Sequence, residues 1–143
     1  KGMSIRFRET DVRPMGRVAY GIRGIKLRKD DEVVSVEVVS QDCNVFTVTE
    51  KAYGKCAPCS DYRLQARGGS GIINVRCRDK NGEVVSLKEV SEKDEVILVT
   101  DTGRTIRFKT KDIPVQKRGG LGVKLMDLNE DKRIHGVAVI EEE

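Results

Sequence analysis

A five-residue motif, Arg-Gly-Gly-Xaa-Gly, occurs twice in the chain, at residues 67–71 and 118–122, each time beginning two residues after a glutamine. The two copies lie 51 residues apart, and the sequence around them also recurs. A third, less complete copy appears when residues 2–27 are placed on residues 103–128 without a gap. A period of about 50 residues, rich in β-branched runs, predicts one structural unit used three times.

The repeat limits how the chain can build a core. In 143 residues, three such units are each small and depend on their neighbours for burial. Tryptophan is absent and aromatic residues make up only 4% of the chain, so we expect cores of Val, Ile and Leu. No run approaches the ~18 apolar residues of a membrane span, and no signal-peptide pattern is present, which predicts a cytoplasmic protein. Residue 1 falls inside a repeat, so we expect a piece of a longer protein.

Positive and negative charge alternate in phase with the repeat, although the formal net charge of the chain is only +4. Residues 1–28, 51–78 and 102–124 carry net charges of +6, +5 and +6, and residues 29–50, 79–101 and 125–143 carry −5, −4 and −4. Equivalent parts meet when equivalent units stand side by side. We therefore expect a continuous basic rim, which is typical of a protein with a polyanion partner.

The third repeat shows the strand pattern most clearly. A β-branched run at 96–100 ends at Asp101-Thr102-Gly103, a hairpin signal, and residues 105–110 alternate between apolar and basic side chains. After the glycine-rich loop, two further strands are predicted at 123–128 and 134–140. The pattern predicts four antiparallel strands in each unit.

The other two repeats follow the same order. In the second, strands are predicted at 45–49, after Gly54, at 72–77 and at 84–90, with Asn81-Gly82 as a tight hairpin between the last two. In the first, only three strands are predicted, at 4–8, 22–27 and 33–39, because its leading strand would lie before residue 1. No segment has an apolar stripe of helical period, so little helix is expected.

These patterns predict an all-β, propeller-like fold of four-stranded antiparallel blades. The expected blades are residues 1–40, which lack a first strand, 41–91 and 92–143, in one continuous arrangement. Three blades do not close a ring, so we expect an open arc whose exposed edges favour self-association.

The glycine-rich loops are the first candidates for binding. Glycine lets backbone N–H groups approach a phosphate, and arginine supplies forked donors that match it. The alternative is that the loop is only a tight connection between two strands, in which glycine is needed for the backbone geometry. The first repeat keeps Arg17 and Gly21 but has Val18 and Ala19 where the others have paired glycines, which suggests that geometry requires only the last glycine. The candidate glycines are Gly68, Gly69, Gly71, Gly119, Gly120 and Gly122.

Basic residues on the alternating strands are the second candidates. Arg6 and Arg8, and likewise Arg107 and Lys109, would project from the face opposite the apolar residues. Their contacts to phosphate would be independent of base sequence and sensitive to salt, and ordinary solubilising charge is the alternative. No aromatic residue is interleaved with them, so duplex DNA is favoured over single strands.

The cysteines Cys43, Cys56, Cys59 and Cys77 all lie in the second repeat. Cys56-Ala-Pro-Cys59 has zinc-knuckle spacing, and a four-ligand site would need the other two to converge on it. Reduced cysteines without a metal are the favoured interpretation for an intracellular protein, and a zinc-binding module is the alternative. No metal and no cofactor are predicted.

No catalytic residue is predicted. The only histidine, His135, lies in a predicted strand without a recognisable nucleophile nearby. Asp11, Asp61 and Asp112 recur before the three loops and are interpreted as turn residues. The sequence contains no P-loop, no dinucleotide fingerprint and no pair of carboxylates suited to acid–base catalysis.

The loops Gln65–Gly71 and Gln116–Gly122 resemble the Gln-Arg-Arg-Gly-Gly-Lys-Gly box in the C-terminal domain of the bacterial DNA gyrase A protein. Residues 5–25 resemble the fourth blade of that family, and residues 47–55 resemble the opening of the fifth. The resemblance implies a six-bladed β-pinwheel, of which this chain is the C-terminal half. Two departures stand out: neither loop has the full set of basic residues in the box, and Cys56 stands where the family usually has arginine.

The resemblance also implies a function. The family wraps duplex DNA around the basic perimeter of the disc, which permits ATP-dependent negative supercoiling by a type IIA topoisomerase. The expected partners are double-stranded DNA, the rest of the gyrase A protein, and the gyrase B protein in the A2B2 enzyme, at the nucleoid. The chain alone would be non-catalytic. Alternatives are the corresponding domain of topoisomerase IV and a propeller-like platform that binds an acidic protein.

The expected phosphate contacts come from all three blades. They are Arg6, Arg8, Arg13, Arg17 and Arg23 in the first, Lys51, Lys55, Arg63 and Arg67 in the second, and Arg104, Arg107, Lys109, Lys117 and Arg118 in the third.

Overall fold

The computed structural model describes all residues from Lys1 to Glu143 and contains nine β-strands and no α-helix. The strands are β1 (Met3–Ser4), β2 (Asn44–Thr49), β3 (Tyr53–Pro58), β4 (Ile72–Ile73), β5 (Val84–Val90), β6 (Glu95–Thr100), β7 (Thr105–Lys109), β8 (Val123–Lys124) and β9 (Ile134–Ile140). Three single 3₁₀ turns occur at Glu9–Asp11, Cys59–Asp61 and Thr110–Asp112. The prediction of an all-β fold is confirmed. The fold has no helical segment with the length and hydropathy needed to span a membrane.

The strands form three antiparallel sheets, one for each repeat. The central sheet has the order β5-β2-β3-β8, the third has the order β7-β6-β9, and the first consists of β1 and β4. β5 and β9, the last strands of the second and third repeats, pack against each other. In the central sheet, β8 is the edge strand farthest from β5.

Neighbouring repeats exchange a strand in one direction: the second and third repeats each contribute the strand after the glycine-rich loop to the sheet of the repeat before it. β8 belongs to the third repeat but pairs with β3 of the second, so that Tyr53 lies opposite Lys124. β4 belongs to the second repeat but pairs with β1 of the first, so that Met3 lies opposite Ile73 in the same register. The prediction that each unit keeps its four strands is therefore wrong for the strand after the loop, which is also shorter than predicted.

The predicted hairpin at Asn81-Gly82 is wrong for the same reason, because β4 and β5 belong to different sheets. Asn81 is buried and organises a loop instead. Its amide Nδ2 donates to the carbonyl oxygens of Arg76 at 3.1 Å and Leu121 at 3.2 Å. The loop is therefore tied to the third repeat as well as to the second.

The first repeat has less strand than predicted. Of the predicted strand at 4–8, only Ser4 lies in a strand, at the end of β1, and the segments 22–27 and 33–39 contain none. In the other repeats the last strand pairs with the first strand of its own repeat, as β5 does with β2. Residues 33–39 have no such partner in this chain, and Val36 and Val38 remain 83% and 86% exposed.

One apolar core joins the central and third sheets. Phe46 and Val48 of β2 pack with Val96 and Leu98 of β6 and with Ile134 of β9, all five almost fully buried. Burying each such side chain contributes about 1.5–3 kcal/mol. A smaller cluster that includes Val45, Ala57 and Tyr62 forms the other core of the central sheet. The repeats therefore depend on one another for burial, as the short period predicted.

Candidate nucleic-acid interface

The two glycine-rich loops lie at the junctions between sheets. Gly119 has a φ of +88° and donates its N–H to the carbonyl oxygen of Asn74 at 2.7 Å; Gly68 has a φ of +87° and donates to Gly24 at the same distance. These N–H groups are already paired, so they are not free to bind a phosphate. Gly68 and Gly119, the first glycine of each adjacent pair, therefore have a structural role, and the inference that geometry needs only the last glycine of the loop is wrong.

The last glycine of each loop is required by close packing. A Cβ on Gly71 would lie 2.2 Å from the carbonyl oxygen of Ser4, and a Cβ on Gly122 would lie 3.0 Å from that of Gly54. Both residues also have positive φ, of +75° and +84°. Gly69 and Gly120, the middle glycines, do not have positive φ, and their Cβ positions face mainly a glutamine side chain.

Arg67 and Arg118 fasten neighbouring repeats together. Arg118 donates from Nε to the carbonyl oxygen of Asp61 at 3.2 Å and from Nη1 to that of Ile73 at 2.7 Å. Arg67 makes the equivalent pair of bonds, to Asp11 at 3.2 Å and Arg23 at 2.5 Å. These bonds give both arginines a structural role, and their predicted phosphate contacts stay a prediction, because each guanidinium group has further donors.

Lys55 is fully buried, so in this structure its ammonium group is not accessible for the predicted phosphate contact. Its Nζ donates to the carbonyl oxygens of Asn74 at 2.6 Å and Lys117 at 3.0 Å, which ties β3 to the third repeat's loop. Burial, reinforced by the positive charge of Arg118, lowers the pKa of Lys55 to about 8. The same network holds Tyr62, whose hydroxyl donates to Oδ1 of Asn74 at 2.5 Å.

Three further arginines of the predicted set already have partners. Arg6 is half-buried and donates to the carbonyl oxygens of Cys59 and Tyr62 at 3.0 and 3.3 Å, so it links the first repeat to the second. Arg104 forms an ion pair with Asp131 at 2.6 Å, and Arg107 pairs with Glu95. The last two arginines remain exposed, and such surface pairs are weak enough to exchange partners.

The other predicted residues are exposed, and four of them occupy equivalent positions beside the 3₁₀ turns of two repeats. Arg8 directly precedes the 3₁₀ turn of the first repeat, and Lys109 precedes that of the third. Arg13 and Arg63 each follow a 3₁₀ turn by two residues. The exposed residues of the predicted set without a side-chain ion pair are Arg8, Arg13, Arg17, Arg23, Lys51, Arg63, Lys109 and Lys117.

Lys51 differs from these residues in position, because it lies in the hairpin turn between β2 and β3, at the opposite end of the central sheet. There it lines an open pocket of about 330 Å³ with Tyr53, Lys80, Lys124, Leu128 and Lys132. Sequence reasoning missed the last three lysines, because they come from separate segments that the strand exchange brings together.

The cysteines do not form the predicted set of reduced thiols. Cys43 and Cys59 are joined by a disulfide bond, with their Cα atoms 5.4 Å apart. The bond closes the end of the β2–β3 hairpin, one residue beyond the pair Asn44 and Pro58. It also contradicts the zinc alternative, because two of the four ligands are consumed. Burial raises the pKa of the free Cys56 thiol to about 11, so this thiol is unreactive at neutral pH.

The recurring aspartates have the predicted turn role. Asp11, Asp61 and Asp112 each end a 3₁₀ turn, and Asp61 additionally accepts a hydrogen bond from the backbone N–H of Arg118 at 3.3 Å. No group of three or more His, Cys, Asp or Glu side chains is arranged to hold a metal ion.

Repeated antiparallel sheets that exchange a strand with their neighbour define a propeller-like β-pinwheel. A family model described as the DNA gyrase C-terminal domain, β-propeller, matches residues 1–40, 44–91 and 94–141. The chain belongs to this family.

The relatives agree with this assignment. The chain is 45% identical over 142 residues to the DNA gyrase A protein of Thermotoga maritima and 40% identical over 141 residues to that of Staphylococcus aureus strain MRSA252. These alignments cover 98% and 97% of the chain but only 18% and 16% of the relatives, so the chain spans less than a fifth of their length.

Solved structures show the same fold. A DNA gyrase A C-terminal domain superposes with a TM-score of 0.89 at 30% identity, covering 96% of this chain and 47% of that one. The C-terminal domain of a DNA topoisomerase IV superposes with a TM-score of 0.91 over 98% of this chain and 44% of that one. Its identity of 23% supports the fold alone.

Proposed function

We propose that this chain is a DNA-binding and DNA-wrapping module of the gyrase A protein. The observation that carries the proposal is the recurrence of exposed basic residues, without ion pairs, at equivalent positions beside the 3₁₀ turns, each position being basic in two of the three repeats. Arg8 and Lys109 occupy one such position, and Arg13 and Arg63 occupy another. A row of this kind provides a track for phosphates.

The proposed contacts position DNA without reading its bases. Lysine and arginine side chains bind the phosphate backbone and release condensed counterions, so affinity falls steeply with salt. Bending a duplex costs several kcal/mol, which requires many weak contacts along a curved surface. The arginines that bind backbone carbonyls have a different role, since they keep neighbouring blades at a fixed spacing.

In the whole enzyme, wrapping would present a DNA crossover to the strand-passage core. The module would thereby support ATP-dependent negative supercoiling by a type IIA topoisomerase while having no catalytic residue or cofactor of its own. Its partners would be duplex DNA, the rest of the gyrase A protein, and the gyrase B protein in an A2B2 assembly at the cytoplasmic nucleoid. The family match favours this assignment over the corresponding domain of topoisomerase IV.

The test compares long and short duplexes. Fluorescence anisotropy should show tighter binding to a duplex long enough to follow several blades, and ligation of relaxed plasmid on the protein should leave altered linking numbers. The double variant Arg13→Gln/Arg63→Gln should weaken binding and reduce the salt slope by about two units. The matched control Lys29→Gln/Lys93→Gln removes two exposed charges outside the proposed track and should leave the slope unchanged.

Two results would contradict the proposal. Binding that is equal for short duplex, long duplex and heparin, with no change in plasmid topology, would favour a surface for an acidic protein. An unchanged salt slope in Arg13→Gln/Arg63→Gln, with normal folding, would show that these arginines do not contact phosphates.

A further inference from the structure

Four lysines surround one open pocket at the junction between the central blade and the third repeat. Lys51 lies in the β2–β3 turn, Lys80 precedes β5, Lys124 lies on the exchanged strand β8, and Lys132 precedes β9. Tyr53 and Leu128 also line the pocket, which has a volume of about 330 Å³. The arrangement thus exists only because the third repeat contributes a strand to the central sheet.

The positive charge of this pocket is poorly neutralised. Lys124 pairs with Asp127 at 2.7 Å, but the carboxylate of Asp127 is 75% exposed, and solvent weakens such a pair. Lys80 lies 5.7 Å from the centre of the Tyr53 ring, a cation–π distance that leaves its charge in place. Lys51 donates only to the carbonyl oxygen of Asp79, and the side chain of Lys132 has no ion pair.

The fold does not require Lys80 or Lys124. At the equivalent junction one repeat earlier, the backbone register is the same, but Met3 and Ile73 replace Tyr53 and Lys124. An offset of 50 residues also places Asp30 where the central blade has Lys80. Because like charges repel at close range, four lysines at one junction need an explanation other than packing.

We propose that Lys51, Lys80, Lys124 and Lys132 form a phosphate-binding pocket that holds consecutive phosphodiesters of duplex DNA on the central blade. Lysine provides a compact charge on a flexible stem, which suits phosphates that approach from solvent. This inference rests on the proposed DNA-binding function and adds a second region of DNA contact to it. It lies at the turn end of the β2–β3 hairpin, whereas Arg63 follows the other end, so a duplex crossing this blade would be held at two places.

Lysine acetylation footprinting tests the pocket directly. A saturating long duplex should protect Lys80 and Lys132 from sulfo-NHS-acetate, read by mass spectrometry, while the exposed Lys29 and Lys93 should react as in the free protein. The variant Lys80→Gln/Lys132→Gln should reduce the salt slope of duplex binding by about two units. Lys80→Arg/Lys132→Arg should restore the slope, and Lys29→Gln/Lys93→Gln should leave it unchanged.

The outcomes separate this inference from the function on which it rests. Tight duplex binding with unprotected pocket lysines and an unchanged slope in Lys80→Gln/Lys132→Gln would overturn the pocket and leave the wrapping module standing. Absence of duplex binding by the unmodified protein would overturn both. Protection of the four lysines by inorganic tripolyphosphate but not by duplex would assign the pocket to a free phosphorylated ligand and overturn the duplex assignment.

Discussion

Arg118 reaches across a blade junction and donates a hydrogen bond from Nε to the carbonyl oxygen of Asp61, 3.2 Å away. A second bond runs from its Nη1 to Ile73, and Arg67 repeats both bonds one junction earlier. The glycine-rich motif is therefore a joint between repeats, in which arginine binds the preceding repeat and glycine permits the close approach. This structural role leaves the exposed basic residues outside the motif as the proposed phosphate contacts.

Arg118→Gln should lower the stability of the fold without lowering the salt slope of DNA binding. Hydrogen bonds from a charged donor contribute about 1.5–3 kcal/mol each, so the loss of two such bonds should lower the free energy of unfolding by roughly 3–6 kcal/mol. Arg17 occupies the same loop position in the first repeat, but its side chain is exposed to solvent. Arg17→Gln should therefore leave stability unchanged and reduce the slope by about one unit.

Urea denaturation and anisotropy titrations on both variants would measure these effects. A stable Arg118→Gln protein with a reduced slope would restore the interpretation of Arg118 as a phosphate contact.

Glycine substitutions can separate backbone strain from close packing. Gly71 and Gly21 have similar positive φ, +75° and +80°, at equivalent loop positions. A Cβ on Gly71 would collide with the carbonyl oxygen of Ser4, whereas a Cβ on Gly21 meets nothing within 4 Å. Gly21→Ala should cost about 1 kcal/mol from conformational strain. Gly71→Ala should cost on the order of 3 kcal/mol or more, because backbone must move.

Thermal and urea unfolding of the two alanine variants would give the comparison. Equal losses of stability would show that the contact with Ser4 contributes nothing beyond strain.

The buried Lys55 predicts an unusual dependence of stability on pH. Its pKa is about 8 in the folded state, below the ordinary 10.5, so the unfolded chain binds more protons between these values. The contribution of Lys55 should therefore become more favourable as pH rises through this window, by about 2 kcal/mol between pH 7 and pH 9.5. Below pH 7, both states are protonated and the contribution should be constant.

Urea denaturation of the unmodified chain and of Lys55→Met across this range isolates the effect, because other titrating groups are common to both. A constant difference in unfolding free energy between the two proteins would contradict the lowered pKa.

Much of the fold follows from local pattern. The strands at 84–90 and 134–140 match β5 and β9, because alternating β-branched residues specify an extended strand with one buried face. The exchange of β4 and β8 could not be predicted in this way. A period identifies which segments are equivalent, but it does not say to which neighbour a segment forms hydrogen bonds. Turn chemistry at Asn81-Gly82 therefore suggested the wrong pairing.

The site was predicted less well, because a basic residue type does not distinguish a phosphate contact from a structural donor. The repeat itself contained one missed signal: Lys55 aligns with Ile5 and Ile106, both at positions that face the interior. An inward position indicates a buried lysine with backbone partners. The pairing of Asn44 with Pro58 likewise places Cys43 and Cys59 opposite each other, which only the strand register reveals.

The disulfide should stabilise the central blade in oxidising buffer. It closes a loop with a sequence separation of 16 residues, for which chain entropy predicts about 3 kcal/mol. Reduction with a dithiol, or the variant Cys43→Ser/Cys59→Ser, should lower the free energy of unfolding by that amount. The reductant should have no further effect on the double variant, because Cys56 and Cys77 are already free thiols. Intact mass should rise by about 2 Da when the unmodified chain is reduced, and an unchanged mass together with unchanged stability would contradict the bond.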